Sequence, residues 1–78
     1  MNTASLAHAL RQRQYALGEV PRAMIDALSD GEMIEMYVTC SCCSEPQVTP
    51  WELRKAIFLA RDADSFVGAV DALRRSHA

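Results

Sequence analysis

Glycine is scarce in this chain. There are three, Gly18, Gly31 and Gly68, and no two are close together. A loop that cradles phosphate needs several glycines at short spacing, so a nucleotide-binding loop is excluded. Long apolar runs are missing as well. None approaches the ~18 residues that span a bilayer. The first residues, MNTASLAHALRQRQ, lack the basic segment and apolar run of a secretory signal. Positive charge is not in excess: the formal net charge is −2, which does not point to nucleic acid. No Ser-His-Asp set and no close carboxylate pair with an evident task occurs, so the chain is not expected to be an enzyme. His8 falls on the side of its helix away from the leucines and reads as solvated. His77 lies near the end, where chains are commonly mobile.

What the sequence does have is helical composition. Half of its 78 residues are hydrophobic, and Gly plus Pro total six. That suits one small helical domain, residues 1–78. A chain of this size buries roughly 60–65% of its unfolded surface and has little surplus stability. A metal, a disulfide or a second subunit commonly makes up the shortfall.

The spacing predicts four or five short helices. Residues 3–17 form the first, with Thr3 as cap, Leu6, Ala9, Leu10 and Leu17 on one stripe, and Gly18 as stop. Arg13 interrupts that stripe, while Arg11, Gln12 and Gln14 fall off it. Val20-Pro21 opens a second, buried helix to Leu28, with proline at the first helical position. Ser29 and Glu32 make a capping box for a third at 30–38, which outweighs the partial strand alternation of MIEMYVT. Residues 39–48 read as a loop. Thr49, Pro50 and Glu52 then start a fourth helix, with Leu53, Ala56, Ile57 and Ala60 on one face and Val48 and Leu53 as a hydrophobic staple. Asp62 or Asp64 caps a last helix with Phe66, Val67, Val70 and Leu73 inward. The alternative is one helix kinked at Arg61–Asp64.

All three cysteines fall within Cys40-Ser41-Cys42-Cys43. Cys40 and Cys43 have the C-x2-C spacing that lets two thiolates face one zinc. A structural zinc needs four ligands, and no second C-x2-C exists. Adjacent Cys42 diverges from Cys43, and Ser44 stands where zinc knuckles favour glycine. Redox chemistry needs a thiol at a helix N-terminus, and the next helix begins too far on. The favoured reading has no cofactor: the cysteines are small apolar residues, with Cys40 or Cys43 packed under Val48 and Trp51. Zinc held by Cys40 and Cys43 is the alternative. An odd cysteine count without a signal peptide suits a cytoplasmic, reducing location.

Charge is unevenly placed. From Asp26 to Glu52 there are six acids and no base, and Arg54, Lys55 and Arg61 follow. A helix-turn-helix is disfavoured, because the helix at 30–38 would bring acids to phosphate. The candidate partner-binding residues are therefore Asp26, Asp30, Glu32 and Glu35, with Met33 and Met36 as adaptable apolar contacts. In size, capped helices and polarised charge, the chain resembles small phage- or mobile-element-encoded proteins that bind and modulate a host protein. That resemblance implies a non-enzymatic protein-binding module, an inhibitor or adaptor that acts through its acidic surface. The alternative is a small zinc-stabilised domain binding nucleic acid or a transcription protein. Leu6, Leu10, Leu17, Phe66, Val70 and Leu73 exceed what one small core is expected to enclose, which points to a homodimer.

Overall fold

Start and stop signals such as Gly18 and Ser29 divide the helical stretches much as the sequence suggests. The computed structural model describes residues 1–39 and 48–77. They form α1 (Thr3–Leu17), α2 (Arg22–Asp26), α3 (Asp30–Val38), α4 (Pro50–Leu59) and α5 (Ala63–His77). The fold is all-α, with no strand among the described residues. No helix among them is long and apolar enough to cross a membrane. Of the stretch expected to be a loop, only Thr39 and Val48 are described; Cys40 and Cys43 lie outside the described residues.

The helix ends follow local chemistry. Asn2, not Thr3, caps α1: its side-chain oxygen accepts from the Ser5 N–H at 2.8 Å. Gly18 ends it at φ 67°, a conformation that costs glycine little. Its N–H returns to the Gln14 carbonyl at 3.1 Å. Both capping boxes are present. Glu32 accepts from the Ser29 N–H at 2.9 Å while the Ser29 hydroxyl accepts from the Glu32 N–H at 3.2 Å. Thr49 and Glu52 repeat the arrangement at 3.0 and 3.2 Å, with Pro50 in the first turn. Asp62 starts α5 by accepting from the Ser65 N–H at 2.7 Å, so the last two helices are separate.

Helix α2 is shorter than its sequence implies. Pro21 is its N-cap residue and it ends at Asp26. Ile25 is its one buried side chain, and Met24 is 61% exposed. Five residues cannot turn the whole run from Ala23 to Leu28 inward.

The core forms around α1, which packs on α2, α3 and α5, while α4 packs on α5. Leu6, Leu10, Ile25, Met33, Phe66 and Val70 are all but sealed from solvent. Each such side chain contributes about 1.5–3 kcal/mol by leaving water. The buried stripe of α1 is Leu6, Ala7, Leu10 and Gln14, rotated from the expected one. Leu17 is accordingly exposed. Leu6, Leu10, Phe66 and Val70 are enclosed within a single chain. Of the six residues behind the homodimer expectation, Leu17 is the one left exposed, and Leu73 is partly buried.

Polar contacts join the helices. Gln14 is buried and donates its side-chain N–H to the Tyr37 hydroxyl, linking α1 to α3. Arg11 bridges Asp30 at 2.9 Å and donates to the Leu28 carbonyl at 2.9 Å. Arg13 reaches Asp64 at 3.4 Å. Arg74 of α5 donates to the Thr39 carbonyl at 3.0 Å. The Met1 nitrogen lies 3.1–3.3 Å from the carbonyls of Ile57, Phe58 and Ala60. Those carbonyls belong to the end of α4, where helical partners run out.

Candidate functional site

The acidic stretch is largely engaged within the molecule. Asp26 accepts from the Tyr15 hydroxyl, which raises the phenol above its usual range, since the bond favours the neutral form. Arg22 lies 4.3 Å over the same ring. Asp30 holds Arg11. Glu32 closes its capping box, and the bond from the Ser29 backbone N–H holds its carboxyl below the usual glutamate range. Met33, proposed above as a contact residue, is a core side chain with 0% exposure. It is turned inward beside Ile34, so it cannot touch a partner. Glu35 and Met36 are the members of that set left exposed without a role inside the fold. Met33 therefore drops out of the expected contact set, while none of its four acids is buried. Among the described residues no group of three or more His, Cys, Asp and Glu side chains is placed to hold a metal.

A different surface is unusual. Helix α4 has two apolar sides. Leu53, Ala56, Ile57 and Ala60 face the core as the spacing predicts. Trp51, Phe58 and Leu59 lie out of phase with them, at i, i+7 and i+8, and are 73%, 78% and 61% exposed. Lys55 stands among them on the same outward stripe. Single exposed apolar residues are ordinary, but three large ones on ten residues of helix make a patch.

Beside that stripe, α4 and α5 enclose an open groove of about 550 Å³. Its length is set by small residues: Ala56 and Ala60 from α4, Ala69 and Ala72 from α5. Methyl groups at these positions leave room that larger side chains would fill. Trp51, Leu59 and Leu73 add apolar wall. The charged margin is Lys55, Arg61 and Glu52. Glu52 is committed to its helix: one of its oxygens accepts from both the Thr49 N–H and the Thr49 hydroxyl at 3.0 Å. The ion pairs among the described residues, Arg11–Asp30 and Arg13–Asp64, involve neither Lys55 nor Arg61. The acids closest in sequence to Arg61 are also occupied, Asp62 by the Ser65 N–H and Asp64 by Arg13.

This groove was missed in the sequence, where Trp51 reads as a lid over the cysteines. The signal was the second apolar stripe on α4. Ten residues carrying apolar side chains on two sides can bury only one of them against a single neighbouring layer. Comparison with protein-family profiles, with curated proteins and with solved structures finds no match to this chain.

Proposed function

We propose that this chain is a non-enzymatic protein-binding module, and that it binds through α4 and the α4–α5 groove. The exposure of Trp51, Phe58 and Leu59 supports this reading above all. Trp and other aromatics supply much of the energy at protein interfaces, because a large rigid surface leaves water at small entropic cost. The neighbouring groove offers a pocket for an anchor side chain. The acidic stretch has a lesser part, since Asp26, Asp30 and Glu32 serve the fold. An inhibitor or adaptor role in the cytoplasm accords with the small size, the charge polarity and the odd cysteine count described above.

Selection of ligands from a random peptide library displayed on a surface tests the site. Peptides of any charge that bind should shift the emission of Trp51, the one tryptophan of the chain. Their binding should be lost in Leu59→Ser and kept in Glu35→Gln. A selection that yields only peptides indifferent to Leu59 and Trp51 would move the site elsewhere.

A further inference from the structure

The lining of the groove carries two cations, Lys55 and Arg61, against one acid, Glu52, so its net sign is opposite to that of the molecule. Net charge is −2, yet the margin presents Lys55 and Arg61 without an ion pair among the described residues. Arg54 is exposed one residue away on α4. An apolar cleft flanked by cations selects a ligand that brings apolar side chains and carboxylates together. We propose that the groove takes an amphipathic helical segment of a partner protein, its apolar side set between Trp51 and Leu59 and its flanking carboxylates against Lys55 and Arg61. This inference rests on the α4–α5 groove being the binding site.

The helical form follows from the walls. Both are α-helices whose backbone groups bond within themselves, so the groove offers no strand edge to extend. A ligand lying along it must satisfy its own backbone, and a helix does so. An apolar stripe at i, i+3, i+4 and i+7 also matches a groove lined on both sides by alanine. A second copy docking through its own α4 is a poorer occupant. It would bring Arg54, Lys55 and Arg61 against their counterparts, and like charges at an interface oppose association. Nucleic acid is disfavoured too. Two or three cations neutralise few phosphates, and the walls are alanine and leucine.

Trp51 provides the reading in solution. Two synthetic peptides of about four helical turns, free of tryptophan, carry the same leucine and phenylalanine stripe. One has glutamate on its flanks and the other lysine. The glutamate peptide should shift Trp51 emission to shorter wavelength and bind about tenfold or more tightly than its lysine counterpart. The preference should shrink as salt rises. Lys55→Glu, checked for unchanged melting, should weaken the glutamate peptide and strengthen the lysine one. Equal binding of the two peptides would overturn the charge assignment and leave the groove as a binding site. Failure of both, while library peptides still bind at Leu59, would overturn the helical acidic ligand alone. A Trp51 shift that grows with protein concentration in the absence of peptide would assign the groove to a second copy. A shift produced by oligodeoxythymidine and by neither peptide would assign it to nucleic acid.

Discussion

Individual side chains here are settled by which atoms they can satisfy nearby. Thr49 is the clearest case. Its hydroxyl accepts from the Glu52 N–H at 3.2 Å, one of the donors that a helix start leaves without a partner. Thr49→Ala should lower stability by about 1 kcal/mol. For a domain of this size that is a fall in Tm of about 4–8 °C, readable by circular dichroism; unchanged melting would mean the cap contributes nothing. Glu32 gives a pH dependence. Its ionised form is favoured in the fold by the bond from the Ser29 N–H, so its pKa is lower folded than unfolded. The stabilisation is complete above the ordinary glutamate range, about 4.3, and is lost as pH falls through the lower folded value. Glu32→Gln should therefore melt below the parent protein at neutral pH, and the two should converge in acid. A gap that persists below the folded titration of Glu32 would show that the charge has no part in the bond.

At the scale of the element, each helix is a balance between local start and stop signals and the one face its neighbours can cover. Gly18 is the stop of α1, at φ 67° with open space around its α-carbon. Gly18→Ala meets no neighbour but must hold a left-handed backbone, which costs about 1–2 kcal/mol. The urea midpoint should fall with the slope unchanged; a variant as stable as the parent would mean the turn has rearranged. Starts and stops of this kind were legible in the sequence. The boxes at Ser29 and Thr49 and the end at Gly18 depend on residues three or four apart; the start of α5 was narrowed only to Asp62 or Asp64, and the cap of α1 is Asn2 where Thr3 was expected. Phase was less legible. Leu17 was expected inside and Gln14 outside, and they are reversed. Gln14 goes in because Tyr37 of α3 offers it a hydroxyl, a partner twenty-three residues away. Met33 followed the core face of α3 for a like reason: Ile34 and Val38 set that face, and the charges around Met33 have no say in it. The groove depends on α5 meeting α4 along alanines, which no local pattern states.

For the whole molecule, the two phenylalanines divide the labour between stability and surface. Phe66 has 0% exposure and Phe58 78%. Removing Phe66 leaves a cavity in the core, and Phe66→Ala should cost about 3–5 kcal/mol. A domain of marginal stability loses much or all of its folded population to such a change. Phe58→Ala should stay within about 0.5 kcal/mol of the parent. Chemical denaturation of both variants compares them directly. A large loss in Phe58→Ala would mean that α4 buries this ring and that the outward stripe is part of the core.

Helix α4 has less buried surface than α1 or α3. One of its residues, Ala56, is buried within it, its main packing is on α5, and its last carbonyls are met by the Met1 nitrogen. A segment with so little sealed apolar surface opens by itself more often than the whole chain unfolds. Amide hydrogens of α4 should thus exchange with solvent deuterium well before those of α1 and α3, and with little dependence on denaturant. Equal protection across the three would show one cooperative unit. If α4 opens alone, whatever settles in its groove also closes that local equilibrium. Part of the binding free energy then goes into holding the helix shut, and occupancy should be visible as slowed exchange at backbone positions the ligand never touches.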